Sequence, residues 1–379
     1  LSGKPPVREL HVTSKIRLGV VGCGDVAFRT YLPALESLAE EAEVVATCDL
    51  ALPRAETAAK VCARWSSSVG AYGDYSECLD HAGLEAVVNL TPGPQHATIT
   101  RAALEREVHV FSEKPIANSV EDADSLMTAA QSRGRLLMCA PATMVTDRFR
   151  WLAEVAASNR YGPLTLITGR VTGMGPALWR DYAGNPEVFY GPEVGPLLDQ
   201  GVYILHGATG LLGPARRIQA MGTIAIPRRS VMTKNIQQHT IEVRTNDHVL
   251  LQLEFDAGHV QLLASFATPA GEPPSMEAHF TGASVRLPAD HWYEAEGPVD
   301  VWALDDEPSS DGWRRQDPPS SGAPVDTLIG MGPAHFVACL QGREEPVLTA
   351  AHARHVLEIA LGAADAARSG ATVELETVF

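Results

Sequence analysis

Lysine is scarce in this chain: Lys4, Lys15, Lys60, Lys114 and Lys234 are all of it. Lys114 closes the run Val110-Phe111-Ser112-Glu113-Lys114-Pro115, an apolar strand pattern and not a solvated helix face. An ammonium at such a strand end can hydrogen-bond a hydroxyl and favour its alkoxide as hydride departs. Pro115 fixes the backbone beside it. Taken alone, a surface lysine at a strand end is an equal reading. A second group of polar residues lies in Gly195–His206. Asp199 and Tyr203 are four apart and His206 is three beyond, so on a helix they share a face. Three polar groups on an otherwise apolar helix either line a cavity or form a satisfied network within a core. No metal-ligand spacing is visible, so these side chains must themselves meet any developing charge.

A third feature is Gly22-Cys23-Gly24-Asp25-Val26-Ala27, between an apolar strand and a helical pattern. Gly22 permits a tight turn, Gly24 lets backbone approach a pyrophosphate, and Ala27 allows close helix–strand packing. The helix start then offers unpaired N–H groups to the anion. Asp49 ends the next strand, where a carboxylate can accept from both adenosine ribose hydroxyls and repel a 2′-phosphate. NAD is therefore expected over NADP, with Arg54 close enough in sequence to soften the preference. Asp49 can also cap the following helix, and the two roles can coexist. The third strand runs into Asn89-Leu90-Thr91-Pro92-Gly93-Pro94-Gln95-His96. Thr91 and Pro92 lie where a ligand sits at a strand's carboxyl end. His96 either touches the cofactor or, more ordinarily, caps or packs against the turn.

These residues need elements to hold them. Strands are expected at Arg17–Val21, Val44–Asp49, Ala86–Leu90, His109–Ser112 and Leu136–Ala140, with helices between, such as Val26–Leu38 and Pro53–Trp65. The continuous apolar strands imply a parallel sheet covered on both sides. After Pro141 the pattern changes. A helix around Arg148–Ala157 precedes strands with period-2 alternation: Thr240–Val243, Val249–Phe255, Val260–Phe266 and Met276–Phe280. They read as one open, mostly antiparallel sheet. Asp305–Pro324 reads as a long surface loop, followed by a helix around Ala350–Arg368 and a strand Thr372–Glu376. The fold class is α/β plus α+β: a Rossmann domain over 1–140, and a substrate-binding and oligomerisation domain over 141–379, whose last helix can pack near the domain junction.

The 379 residues carry a formal net charge of -16, which disfavours a groove for nucleic acid or anionic lipid. No apolar run approaches the roughly 20 residues needed to span a bilayer. The polar stretch before Lys15, broken by Pro5 and Pro6, lacks a secretory core, so a cytoplasmic protein is expected. The six cysteines form no C-x-x-C pair and read as reduced, buried residues.

The glycine turn, Glu113-Lys114-Pro115 and Asp199-x-Gly201-x-Tyr203 together resemble the glucose–fructose oxidoreductase, inositol dehydrogenase and rhizopine catabolism (Gfo/Idh/MocA) family. The likeness extends to Val347–Leu375, with His355-Val356-Leu357-Glu358-Ile359 and Ala367-Arg368-Ser369-Gly370, and covers nearly the whole chain. The Glu-Lys-Pro motif with the later Asp-x-Gly-x-Tyr is far more specific than the glycine turn.

The resemblance implies a site between two domains. Glu113 and Lys114 lie at the cofactor, Lys114 is the catalytic lysine and Asp199 orients the substrate. Tyr203 stands where relatives carry the proton donor or acceptor, often His. With an ordinary pKa near 10, Tyr203 needs a cation such as Lys114 nearby to act as base, and His206 is the alternative. Read from the residues themselves, Trp179, Arg180 and Tyr182, with Asn185, Phe189 and Tyr190, suit a polyhydroxylated ring with apolar faces, and an ordinary loop with packed aromatics is an equal reading.

The expected activity is NAD-dependent hydride transfer at a secondary hydroxyl or ketone of a sugar, glycoside or cyclitol, by a homodimer or homotetramer joined through the open sheet face. Two alternatives stand beside it. One is a dinucleotide-binding sensor or co-repressor without turnover. The other is a dehydrogenase of a nucleotide-linked sugar, which needs a cationic patch drawn from Arg180, Arg216, Arg217, Arg228 and Arg229.

Overall fold

Six parallel strands form the first sheet: β1 (Ile16–Val21), β2 (Ala42–Cys48), β3 (Gly70–Tyr72), β4 (Ala86–Asn89), β5 (His109–Ser112) and β6 (Leu137–Cys139). The computed structural model describes residues 15–192, 194–234, 236, 239–304 and 312–379. The strand order is β3-β2-β1-β4-β5-β6, so direction of travel reverses between β1 and β4. At that reversal the connections diverge and leave a crevice at the carboxyl ends. Leu18, Val20, Val44, Val88 and Phe111 are fully buried, because helices cover both faces. The first of these, α1 (Leu32–Ser37), is entered through a π-helical stretch, Ala27–Tyr31. The others are α2 (Leu52–Cys62), α3 (Tyr75–Leu79), α4 (His96–Glu105) and α5 (Val120–Ser132).

The second sheet has nine strands in the order β16-β15-β14-β13-β7-β12-β11-β8-β17. They are β7 (Leu164–Thr172), β8 (Arg217–Thr223), β11 (His248–Glu254), β12 (His259–Ser265), β13 (Glu272–Phe280), β14 (Ala283–Leu287), β15 (Val299–Ala303), β16 (Arg314–Gln316) and β17 (Val373–Glu374). Among the described residues of this sheet only β7 and β12 pair in parallel. One face buries Leu251, Leu253, Val260 and Leu262 against α6 (Asp147–Ala157), α7 (Val202–Leu212) and α9 (Ala350–Ser369). The other face is open, with Met221 and its cross-strand partner Leu250 exposed upon it.

The sheet differs from the expectation: β7, β8, β14 and β15 were not anticipated, and two segments fall otherwise than expected. Thr240–Val243 does not join it. β9 (Arg228–Ser230) and β10 (Thr240–Glu242) form their own hairpin. Ile241 of β10 and the flanking Val231 and Val243 pack on Ala177, Tyr190 and Phe266, a small core apart from the main one. Within the stretch expected as a loop, β16 is a strand, while residues 305–311 lie outside the described ones.

The helix α8 (Met331–Leu340) was not anticipated; Gly332 and Pro333 in its first turn weaken the helical pattern there. Its Met331, Phe336 and Val337 complete the first domain's core. α9 divides its faces. Ala353 and Leu357 pack on the first domain, while Val356, Ile359 and Ala363 pack on the second. Among the described residues no helix is long and apolar enough to cross a membrane.

Candidate active site

The cofactor side is built on the β1 turn. Gly22 has φ of +97°, and a β-carbon there would lie 2.6 Å from the Leu90 backbone, so the turn after β4 crosses directly over it. Gly24 is different: nothing lies within 4 Å of its would-be β-carbon. The chain packs against one glycine and leaves space over the other, as a bound pyrophosphate requires. Cys23 turns its thiol inward to the Cys48 carbonyl, 3.5 Å away, and donates its backbone N–H to Asp49 Oδ2 at 2.9 Å. Asp49 Oδ1 accepts from Ala51 N at 2.9 Å, so the carboxylate braces the glycine turn and the start of α2 together. Asp25 pairs with Arg29 one turn later, and Val26 is half-buried beside them. These residues fit a dinucleotide.

At the end of β4, Thr91 donates to Asn89 Oδ1 at 2.7 Å, and Pro92 is exposed. His96 is buried, its two ring nitrogens each 2.6 Å from a carbonyl, Thr91 and Pro115. It sits between two loops, and a ring kept neutral by burial donates its one N–H to either carbonyl. The carboxylate of Glu113 is also engaged, accepting from Tyr31 Oη at 2.7 Å and from Lys114 N at 2.9 Å. Tyr31 had no signal in sequence beyond its place on an apolar helix face.

Lys114 and Asp199 meet. The Lys114 ammonium donates to the Asp199 carbonyl at 2.6 Å and to its Oδ1 at 3.3 Å. Asp199 lies in a π-helical turn, Leu197–Gly201, ahead of α7. Its Oδ2 is buried and has no hydrogen-bond partner among the described residues. Burial raises the Asp199 pKa, and Lys114 opposes that shift. The ammonium also stands over the Tyr203 ring, 5.7 Å from its centre.

Lys114 does not activate the phenol in the way the sequence led us to expect. Burial pushes the Tyr203 pKa well up, reinforced by Tyr293, Glu113 and Asp199, and the cation that opposes the rise is Arg29. His206 turns away. Its ring lies 4.7 Å from that of His352 under α9, and burial holds its pKa well below the ordinary value. With Lys114 it lines a small cavity of about 10 Å³ that Tyr203 does not line.

The substrate side carries an aromatic cluster. Trp179 and Tyr182 stand edge-to-face at 6.3 Å, and Phe189 contacts both. The Tyr182 pKa is pushed up to about 12, mainly by burial, then by Asp25 and Asp199. The neighbouring Ala183 donates its backbone N–H to Asp25 Oδ1 at 3.4 Å, so this loop reaches the glycine turn. Arg180 is exposed. Sequence reasoning missed Arg29 and Tyr293. The four-residue spacing from Asp25 was the one signal for Arg29. Tyr293 comes from an irregular segment and meets Tyr203 edge-on at 5.7 Å. The arginines weighed for a diphosphate do not converge: Arg216, Arg217, Arg228 and Arg229 pair with Asp256, Glu254, Glu242 and Asp247. No cluster of three His, Cys, Asp or Glu able to hold a metal ion occurs among the described residues.

Two family models match in succession: an oxidoreductase family NAD-binding Rossmann fold over residues 16–140, and a GFO/IDH/MocA C-terminal domain over 149–286. The chain belongs to the Gfo/Idh/MocA oxidoreductase family. A dTDP-3,4-didehydro-2,6-dideoxy-alpha-D-glucose 3-reductase from Streptomyces antibioticus is 28% identical over 299 residues, covering 73% of this chain and 84% of the reductase. A D-xylose 1-dehydrogenase (NADP(+)) from Haloferax volcanii is 27% identical over 54% of this chain and 60% of its own. The solved structure of levoglucosan dehydrogenase with NADH and L-sorbose superposes with a TM-score of 0.80 at 16% identity, over 97% of this chain and all of that one. Like that structure, this Gfo/Idh/MocA protein joins a Rossmann domain to a largely antiparallel sheet.

Proposed function

We propose that this oxidoreductase transfers hydride between NAD and a secondary hydroxyl, or the matching ketone, of a sugar, glycoside or cyclitol. The observation that carries the proposal is the Lys114 ammonium held on Asp199 beside the crevice of the Rossmann sheet. A relative named for oxidising D-xylose supports the substrate class, while one named for reducing a dTDP-linked sugar supports the nucleotide-sugar alternative. Preference for NAD rests on Asp49, whose carboxylate at the end of β2 would repel a 2′-phosphate.

Bound nicotinamide supplies the hydride acceptor, or in reverse the donor, at its C4. Gly22, Gly24 and the start of the following helix hold the pyrophosphate, and Asp49 takes the adenosine ribose. Lys114 donates a hydrogen bond to the reacting oxygen and stabilises the charge that grows there. Asp199 Oδ2, lacking a partner, accepts the hydroxyl proton during oxidation and returns it during reduction. Burial raises its pKa toward the range where such exchange is efficient. Tyr203 stays a protonated phenol and donates to the substrate oxygen, which moves the proton-carrying role expected of it to Asp199. His206 supports α7 from behind. Trp179, Tyr182 and Phe189 offer ring faces to the sugar, and Arg180 stands at the rim.

The same Lys114–Asp199 pair favours turnover over a sensor role, because binding alone needs no buried proton acceptor beside an ammonium. Incubation with NAD and a panel of sugars, glycosides and cyclitols, following absorbance of the reduced cofactor, tests the proposal. Turnover that Lys114→Ala abolishes supports it. Saturable sugar binding without turnover in either direction favours the sensor.

A further inference from the structure

A groove of about 320 Å³ opens between the turn after β4 and the loop that carries the aromatic cluster. Pockets for small molecules run from roughly 300 to 1,000 Å³, so it is large enough for a ring. Pro94 forms its first-domain wall, and Asn185, Glu187, Val188, Val194 and Arg244 line the other side. Pro94 adjoins Gly93, whose would-be β-carbon lies 3.4 Å from Pro115, the residue after Lys114. The groove therefore begins next to the catalytic turn.

Its wall is preformed. Asn185 Oδ1 accepts from Glu187 N at 3.0 Å. Arg244 donates its backbone N–H to the Tyr190 carbonyl at 2.9 Å. Tyr190 is fully buried, accepts from Ala177 N at 3.1 Å, and lies under the Arg229 guanidinium, 5.1 Å from its ring centre. Arg229 is itself fixed by Asp247 at 2.6 Å and by the Met174 carbonyl at 2.7 Å. None of these bonds uses the Arg244 guanidinium, which has no hydrogen-bond or ion-pair partner among the described residues.

The lining favours one ligand chemistry. Pro94, Val188 and Val194 present C–H surface to the apolar face of a pyranose. Arg244 and the Asn185 amide donate to hydroxyls, and Glu187 accepts from them. Among the described lining residues Arg244 and Glu187 balance in charge, which gives no cationic field for a diphosphate. We propose that this groove is a distal subsite for the second ring of a glycoside whose first ring is oxidised at Lys114. The proposal rests on the carbohydrate oxidoreductase reading and narrows its substrate class.

The test compares NAD-linked oxidation of methyl α- and β-glucoside with maltose, cellobiose, trehalose and UDP-glucose. At least one disaccharide should exceed its methyl glycoside tenfold or more in kcat/KM. Arg244→Ala should raise KM for that disaccharide about tenfold with less than a twofold change in kcat, so that the preference collapses toward unity. Asn185→Ala should act in the same direction. A wild type that prefers the methyl glycosides overturns the subsite while leaving the oxidoreductase reading intact, as does a preference that survives Arg244→Ala. A preference for UDP-glucose that Arg244→Ala removes overturns it in favour of a diphosphate site. If nothing is oxidised, the underlying reading fails. Saturation-transfer NMR of the disaccharides on NADH-loaded protein then decides the groove: signal lost in Arg244→Ala supports it, and equal or absent signal overturns it.

Discussion

The side chain of Lys114 crosses from the first domain to grip Asp199 of the second twice, at 2.6 Å on the carbonyl and 3.3 Å on the carboxylate. One ammonium thus closes the domain interface and arms the site. Lys114→Ala should lower turnover by on the order of a hundredfold or more. Fluorescence titration should show NADH binding retained, because the pyrophosphate contacts lie on the β1 turn. Loss of NADH binding as severe as the loss of turnover would assign Lys114 to cofactor retention.

The pH profile separates Asp199 from Tyr203. Burial raises the Asp199 pKa, so the ionised acceptor is present at high pH and is lost as pH falls through that raised value. Oxidation should therefore rise with pH along an acidic limb, and that limb should disappear in Asp199→Asn. Tyr203→Phe should reduce kcat more than His206→Asn but leave the limb in place, since its phenol stays protonated throughout. A limb that vanishes in Tyr203→Phe would return the proton to the phenol.

Asp49 sets the cofactor preference. Wild type should bind NADH more tightly than NADPH, and Asp49→Ser should erode that difference. Because Asp49 also accepts from Cys23 N and Ala51 N, the variant should lose some affinity for both forms. A wild type favouring NADPH tenfold, roughly 1.4 kcal/mol, contradicts the assignment.

Acid should weaken the fold through α9. Burial lowers the pKa of both His352 and His355 to about 4. Both are neutral in folded and unfolded chains above the unfolded value near 6.5. Below it the unfolded chain takes up protons first, so stability falls between about pH 6.5 and 4 and then levels off. The linkage is worth roughly 3 kcal/mol for each histidine, as an order of magnitude. Urea melts across this window should show the loss, and His352→Gln should reduce it.

The open sheet face should join copies of the chain. Met221 is 76% exposed and Leu250 is 41% exposed, and they are direct cross-strand partners on β8 and β11. Sedimentation should find a dimer or tetramer, and Met221→Glu with Leu250→Glu should shift it toward monomer. An unaltered oligomer in the double variant would place the interface elsewhere.

Local motifs were legible in the sequence. The β1 turn, Asp49, Lys114 and Asp199 each sit in a short pattern whose spacing fixes the backbone around it. Arg29, Tyr31 and Tyr293 were not legible, because each reaches the site across a long sequence separation. The direction of the Tyr203 shift was misread for a related reason: sequence names a neighbouring cation but not the desolvation that outweighs it. Tyr203 and His206 were grouped by spacing, yet residues three apart on a helix diverge by roughly 60°. On a helix at the edge of a cleft, that angle sends one inward and the other beneath α9. The hairpin strand was misassigned because alternation reveals a buried side but not which core it faces.

The return of α8 and α9 has a consequence for any attempt to divide the molecule. Residues 331–363 supply Met331, Phe336, Val337, Ala353 and Leu357 to the half of the protein that the chain built first. A fragment ending at Ala140 would therefore expose apolar surface that only the far end of the sequence can cover. Nascent chains face the same situation: the dinucleotide half cannot finish packing until α8 and α9 emerge, long after its own strands.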